Sequence, residues 1–162
     1  MSPACSLEKE IGLSMSPRAT HADIQNSKRV TSPPSRTHSI LVIDDSADAL
    51  TLQKILLGQA GYHVLTAESG EKAIQVLLDI DEPALILLDM QLGDLNGIDF
   101  LSVLEKKMPS IVQHVPVVFL TAVSEVPESK AIGFIRKPAE MNKFLRAVHY
   151  FVGLSSHAVG KC

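Results

Sequence analysis

Short apolar runs alternate with segments of helical period along the chain from residue 39 onward. Five of these runs have the length of buried strands, and they cover residues 40–43, 63–66, 85–88, 117–120 and 133–135. Between the runs, apolar residues recur at the spacing of one helix face. This alternation is typical of a parallel sheet covered on both faces by helices, and it predicts one α/β domain.

Capping residues and prolines bound the predicted helices. Ser46 and Ser69 are favourable N-caps of the first two helices, and Gly61 is a favourable stop for the first. The third helix is predicted over 98–108, before Pro109, and the last begins after Pro138. The stripes predicted to be buried are Leu52, Ile55 and Leu56 in the first helix, Ala73, Ile74, Leu77 and Leu78 in the second, and Met141, Leu145, Val148 and Val152 in the last.

The connection between the fourth and fifth predicted strands is short. If the first of these strands ends at Thr121 and the chain resumes at Ile132, ten residues remain, including Pro127. A parallel crossover needs roughly 10–12 residues. The sequence therefore predicts a doubly wound sheet of five parallel strands with right-handed crossovers, in which the fourth helix is shortened or absent.

The first 38 residues differ in composition from the remainder. They contain four of the nine prolines and many Ser and Thr residues, with no sustained apolar period. Such a segment cannot bury enough apolar surface to offset its ordering entropy, so residues 1–38 are expected to form a disordered tail with a short helix near 7–13. The folded domain is predicted over 39–153, followed by a short C-terminal tail over 154–162.

Charge is distributed unevenly over the 162 residues. The net charge of −3 divides into +2 for residues 1–38 and −5 for residues 39–162. An acidic domain argues against a nucleic-acid-binding face and against a DNA-binding role. The chain has no apolar run of roughly 18 residues and no secretory signal features, and Cys5 and Cys162 lack metal-site spacing. We therefore expect a cytoplasmic protein with free thiols and no membrane span.

Acidic side chains follow two of the predicted strands. Asp44 and Asp45 come directly after the first strand, and Asp89 comes directly after the third. An Asp pair in this place is, by itself, more often a helix cap than a metal site. If the strand order is 2-1-3-4-5, however, the first and third strands are neighbours about 4.8 Å apart, and the three carboxylates meet beyond their carboxyl ends. Such a cluster requires a cation, and Mg²⁺ suits it.

Two more strand ends carry polar groups toward the same edge. Thr121 ends the fourth strand and Lys137 ends the fifth. A hydroxyl, an ammonium and a divalent cation around one carboxylate form a site for a transferred phosphoryl group, because that reaction depends on positioning and charge neutralisation. Asp89 is then the predicted nucleophile.

Four motifs now stand in order at the strand ends: IDDS at 43–46, LLDMQLGDLNG at 87–97, TA at 121–122 and FIRKP at 134–138. Together they resemble the receiver domain of two-component response regulators, over residues 39–152. The resemblance implies the flavodoxin-like strand order 2-1-3-4-5. It also implies that Asp89 accepts a phosphoryl group from a phosphohistidine, supplied by a sensor histidine kinase or a phosphotransfer protein.

The resemblance further implies roles for the neighbouring residues. Asp45, Asp89 and the backbone carbonyl of Gln91 would be ligands of Mg²⁺, with Asp44 acting through water. Lys137 and the Thr121 hydroxyl would bind phosphoryl oxygens, while Phe134 would be a switch residue whose rotamer follows Thr121. The peptide bond between Lys137 and Pro138 would be cis, and Gly97 would close the loop after Asp89.

The function implied is that of a single-domain response regulator that signals to a downstream protein by contact, with a homodimer as an open alternative. It would be a self-phosphorylating acceptor capable of autodephosphorylation and not a turnover enzyme. The short fourth connection puts output through the usual surface in doubt. A phosphorylation-independent interaction module is the main alternative. An aspartyl-phosphatase is disfavoured because position 91 is Gln91 instead of a second Asp, and an FMN carrier because the acids would repel its phosphate.

Overall fold

The computed structural model describes residues 38–93, 95–122, 126–137 and 140–159, with side chains as far as residue 154, and the backbone of residues 11–13. The elements in chain order are β1 (Ile11–Leu13), β2 (Ser39–Ile43), α1 (Ala47–Gln59), β3 (His63–Ala67), α2 (Gly70–Asp79), β4 (Leu85–Asp89), β5 (Gln91–Leu92), β6 (Leu95–Asn96), α3 (Gly97–Lys107), α4 (Pro109–His114), β7 (Val117–Thr121), β8 (Gly133–Arg136) and α5 (Met141–Val159).

The central sheet has the order β3-β2-β4-β7-β8, and all neighbouring pairs in this series are parallel. This order confirms the predicted 2-1-3-4-5 arrangement. Each of the five predicted strands is observed, with ends that differ by at most one residue from those expected. At the outer side of β8, β1 adds an antiparallel sixth strand.

Alternate residues of the buried strands pack against helices on opposite faces of the sheet. Ile40 and Val42 of β2 lie in a core with α1 and α5, whereas Leu41 and Ile43 lie in a second core with α2, α3 and α4. Because β2 is covered on both sides, its apolar sequence is continuous and does not alternate with polar residues. The carboxyl ends of the strands are left as the place where polar groups can gather.

The predicted caps are observed at both early helices. The Ser46 hydroxyl accepts a hydrogen bond from the Ala49 N–H at 3.3 Å, and the Ser69 hydroxyl accepts one from the Lys72 N–H at 3.2 Å. Gly61 follows the end of α1 with a φ of 98°, a left-handed conformation that favours glycine. Ser46 thus starts α1 directly beside the acidic pair.

The predicted buried stripe of α1 is wrong. Leu52 and Ile55 are 58% and 52% exposed, and the residues that face the core are Leu50, Gln53 and Leu57. Apolar residues occupy more than one face of α1, so helical spacing alone is compatible with two buried stripes. Packing against the sheet and α5 buries the stripe that contains Leu50 and Leu57. Two further residues predicted in the core are also exposed, namely Leu78 of α2 and Met141 of α5.

Three segments differ from their sequence-based interpretation. Residues 11–13, expected to be helical within a disordered tail, form β1 because the outer edge of β8 offers unpaired backbone groups. Helix α5 continues to Val159, past the domain end predicted at residue 153. Pro109 ends α3 as expected, but it also occupies the first turn of a new helix, α4, where its missing N–H carries no penalty.

The fourth connection agrees with its prediction. Residues 126–132, the part of it that the structure describes before β8, contain no helix. Among the helices within the described residues, none is both long enough and apolar enough to cross a bilayer.

Candidate functional site

Polar side chains stand at the carboxyl ends of four neighbouring strands. Asp44 and Asp45 follow β2, Asp89 is the last residue of β4, Thr121 is the last residue of β7, and Lys137 directly follows β8. Because these strands are parallel neighbours in the sheet, their ends form one edge. The sheet therefore brings the predicted site residues to one side of the molecule.

Backbone hydrogen bonds between neighbouring strands continue one residue past three of these strand ends. The N–H group that follows each strand donates to a carbonyl at the end of the next strand. The three bonds join Asp44 to Ala67 at 3.1 Å, Met90 to Leu120 at 3.0 Å and Lys137 to Thr121 at 2.8 Å. The backbone at the site is thus fixed by the sheet itself and not left to free loops.

Lys137 bridges two of the carboxylates. Its Nζ donates to Asp44 Oδ2 at 3.1 Å and to Asp89 Oδ2 at 3.2 Å. The Asp44 side chain is only 1% exposed and that of Asp89 14% exposed, whereas that of Lys137 is 35% exposed. The ammonium therefore partly compensates two buried negative charges while keeping access to solvent.

Backbone N–H groups bind the other carboxylate oxygens and orient them. Ser46 N–H donates to Asp44 Oδ1 at 2.9 Å, and Gln91 N–H donates to Asp89 Oδ1 at 3.1 Å. On the exposed side, Gly93 N–H donates to Asp45 Oδ2 at 3.1 Å. Each carboxylate is held by at least one bond from the main chain, so its orientation does not depend on Lys137 alone.

The electrostatics of the site favour a bound cation. Burial raises the pKa of Asp89, and the nearby Asp44 carboxylate raises it further, while the Gln91 N–H and Lys137 oppose this rise. Burial lowers the pKa of Lys137, but Asp89 and Asp44 outweigh that effect, so the pKa is raised and the ammonium stays charged. With three carboxylates and one ammonium, the cluster has a formal net charge of −2.

The donor set fits a hard divalent cation. Asp44, Asp45 and Asp89 can each present an oxygen such that all three lie within 4.8 Å of one another. Carboxylate oxygens with room for water are the ligands that Mg²⁺ prefers, and a divalent charge balances the excess negative charge. Gln91, the fourth predicted ligand, lies beside Asp89 in β5 with an exposed side chain, and its predicted ligand atom is the backbone carbonyl.

Thr121 and Phe134 lie at the side of the site formed by β7 and β8. Thr121 is 1% exposed and pairs in register with Arg136, while Phe134 is partly buried and pairs with Phe119. The Arg136 guanidinium carbon lies 5.9 Å from the centre of the Phe134 ring, within the range of a cation–π contact. The predicted cis bond between Lys137 and Pro138 lies outside the described residues.

The loop after Asp89 is closed by a short hairpin, β5 with β6, which was not predicted. Gly97 N–H donates to the Met90 carbonyl at 2.7 Å. A Cβ at Gly97 would lie 2.7 Å from the Asp89 carbonyl oxygen, so only glycine fits there without a shift of the backbone. Gly93, with a φ of 62°, turns the hairpin and supplies the N–H that binds Asp45.

The sequence contained a signal for this hairpin. Gly93 and Asp94 stand between Leu92 and Leu95, and Gly-Asp flanked by apolar residues is a turn pattern that predicts a tight reversal of the chain. The backbone donors of Ser46, Gln91 and Gly93 had no such signal, because any residue except proline supplies an N–H group.

The strand order, with helices on both faces of the sheet, is that of the flavodoxin-like CheY fold. The model of the response regulator receiver domain family matches residues 40–149. The chain belongs to this family.

Curated and solved relatives agree with the assignment. Sporulation initiation phosphotransferase F of Bacillus subtilis is 29% identical over 124 residues, which cover 73% of this chain and 96% of that protein. The transcriptional regulatory protein GlrR of Escherichia coli is 28% identical over 115 residues, so 67% of this chain matches only 25% of its length. A CheY-like receiver domain protein from Methanospirillum hungatei superposes with a TM-score of 0.65 and 26% identity, covering 75% of this chain and 99% of that one.

Proposed function

We propose that this chain is a phosphoacceptor of two-component signalling and that Asp89 receives the phosphoryl group. The observation that carries the proposal is the meeting of Asp44, Asp45 and Asp89 around the ammonium of Lys137. The donor is a phosphohistidine of a sensor histidine kinase or a phosphotransfer protein. The phosphoryl state is passed on by contact with a downstream protein.

In the transfer, an Asp89 carboxylate oxygen attacks the phosphorus atom while the bond from phosphorus to the donor imidazole breaks. Hydrogen bonds from the Gln91 N–H and Lys137 hold the carboxylate before attack. Lys137 then binds a phosphoryl oxygen, since Asp89 no longer carries the full negative charge with which it paired. Mg²⁺, held by Asp45, Asp89 and the Gln91 carbonyl, with Asp44 acting through water, would neutralise the charge on the transferred group.

The remaining roles concern the state after transfer. The Thr121 hydroxyl binds a second phosphoryl oxygen, and Phe134 changes its orientation as Thr121 moves. Water hydrolyses the acyl phosphate at Asp89 and regenerates the carboxylate, so the chain resets itself and is not a turnover enzyme. These roles are supported by the positions of Thr121 and Phe134 in paired strands beside Lys137.

The test is intact-protein mass spectrometry after incubation with acetyl phosphate and Mg²⁺. We expect one phosphoryl group on the wild-type chain, none on Asp89→Asn, and strongly reduced labelling after chelation of the metal. Asp48→Asn, which alters a carboxylate in the first turn of α1 outside the acidic cluster, is the matched control and should be labelled normally.

Labelling that persists in Asp89→Asn would contradict the assignment of the acceptor. Absence of labelling by acetyl phosphate and by a panel of phosphorylated histidine kinases would contradict the function as a whole. That second result would favour an interaction module that does not depend on phosphorylation.

A further inference from the structure

Among the residues that the structure describes, a strand of three residues covers the outer edge of β8. Residues 133–136 of β8 pair with β7 on one side, and β1 pairs antiparallel on the other with Ile11 opposite Ile135 and Leu13 opposite Gly133. No helix occurs among the described residues 126–132 that precede β8. Without β1, the edge of the sheet at β8 would be open to pairing with another chain.

The direction of the backbone N–H groups shows which of them depend on β1. The Lys137 N–H donates to the Thr121 carbonyl at 2.8 Å and so points toward β7. Because successive N–H groups of a strand point to opposite sides, those of Ile135 and Gly133 also face β7, while that of Phe134 faces outward to β1. The pair of Gly12 with Phe134 is therefore the hydrogen-bonded pair of this ladder.

The cover is small and connected to the domain by a long segment. β1 has three residues, and residues 14–37 separate it from the first described residue of the domain, His38. A pairing of three residues is marginal in water, so β1 can exchange between bound and released states.

The same edge is complementary to itself. Two copies of β8 can pair antiparallel about a two-fold axis so that the outward N–H and carbonyl groups of Phe134 in one copy face those of Phe134 in the other. In that register Arg136 lies opposite Ile132 of the second copy. No like charges face each other across the pair, and two aromatic side chains meet at the axis.

We propose that β1 is a removable cover of the β8 edge and that release of β1 allows β8 to pair with β8 of a second copy of the chain. The cover and the second copy use the same outward N–H and carbonyl groups, so binding of one excludes the other. The chain is then monomeric while β1 is bound and dimerises through the sheet edge when β1 is released.

The test uses the whole chain with Gly12→Pro. This change removes the N–H group of β1 that faces Phe134. The matched control is Gly12→Ala, which keeps the backbone donor. Sedimentation velocity over a range of concentrations gives the oligomeric state, and hydrogen exchange followed by NMR gives the protection of the Gly133, Phe134 and Ile135 amides.

For the proline variant we expect dimers that increase with concentration. In dilute solution, we expect exchange at Phe134 to be about tenfold faster or more, while Gly133 and Ile135 stay protected by β7. The wild type and the alanine control should stay monomeric with slow exchange at all three amides. Protection of the β4 amides, which lie at the centre of the sheet, shows that each variant is folded.

A third variant identifies the dimer surface. Phe134→Lys added to the proline variant places two ammonium groups opposite each other at the two-fold axis and should return the chain to a monomer. A proline variant that stays monomeric at all concentrations would overturn the proposal. So would fast exchange at Phe134 in the wild type, or a dimer that persists in the Phe134→Lys variant.

Discussion

The two halves of the sheet contribute opposite charges to the site and differ in how firmly they are built. The acidic half consists of β2 and β4, which carry the three carboxylates, and residues 40–43 and 85–88 in it are completely buried. The basic half consists of β7 and β8, which carry Thr121 and Lys137. In β8, buried residues alternate with partly exposed and exposed ones. The carboxylates thus follow strands that are buried almost throughout, whereas the cation follows β8, which is only partly buried.

The largest expected difference between the halves concerns core packing. Leu87→Ala in β4 removes a side chain that is completely enclosed, and we expect it to reduce the free energy of unfolding by about 2–5 kcal/mol. Ile135→Ala in β8 removes a 4% exposed side chain from a strand whose neighbouring residues are only partly buried or exposed. Its loss should lie at the lower end of that range.

Urea denaturation of both variants measures these losses in the free energy of unfolding. The dependence of this free energy on urea concentration should match that of the wild type. A loss for Ile135→Ala that equals or exceeds that for Leu87→Ala would show that the basic half is as firmly packed as the acidic half.

A smaller effect is expected in the loop that follows Asp89. Gly97→Ala places a methyl group 2.7 Å from the Asp89 carbonyl oxygen and 3.1 Å from Phe119 Cε1, so the backbone of the acidic half must shift. We expect a loss of about 1–3 kcal/mol in thermal unfolding. Gly58→Ala is the control, because its Cβ in α1 meets nothing within 4 Å, and it should stabilise the protein by about 0.5–1 kcal/mol. A neutral Gly97→Ala would mean that the loop adjusts without strain.

The smallest expected effect concerns how far the charge of Lys137 in the basic half offsets the negative charge of Asp89 in the acidic half. The pKa of Asp89 is raised in the folded state, so its contribution to stability is present below its ordinary pKa and is lost as the pH rises through the raised value. The side chain introduced by Asp89→Asn cannot ionise, so this variant does not lose stability as the pH rises. In buffer with a chelator, the stability of Asp89→Asn relative to the wild type should therefore grow with pH across this window and then level off.

Unfolding midpoints measured at a series of acidic to neutral pH values check this expectation. A difference that shrinks as the pH rises would show that Lys137 stabilises ionised Asp89 more than burial disfavours it.

The strands and the acidic cluster were predictable because the signal is local and repeated. Runs such as residues 85–88 are continuously apolar only when both faces of a strand are covered, and an Asp such as Asp89 directly after the run marks the strand end. Once the strand order is known, the meeting of Asp44 with Asp89 follows from geometry. Lys137 was placed at the same edge by the same reasoning.

The features that were missed depend on contacts between distant parts of the chain. Spacing could not distinguish the stripe of Leu52 and Ile55 from that of Leu50 and Leu57, because α5 decides which face is covered. The strand at residues 11–13 forms only where the edge of β8 is available, which no local pattern reveals. For α4, the proline that correctly ends one helix also begins another, and periodicity over six residues is too short to show it.

The short connection before β8 also affects how the chain folds. Eleven residues, 122–132, separate β7 from β8, whereas 27 residues, 90–116, separate β4 from β7. The entropy lost on closing a loop grows with the logarithm of its length, so joining β7 to β8 costs about 0.8 kcal/mol less than joining β4 to β7. The least buried of the four strands at the site, β8, therefore pairs with its neighbour at the lowest cost in loop entropy.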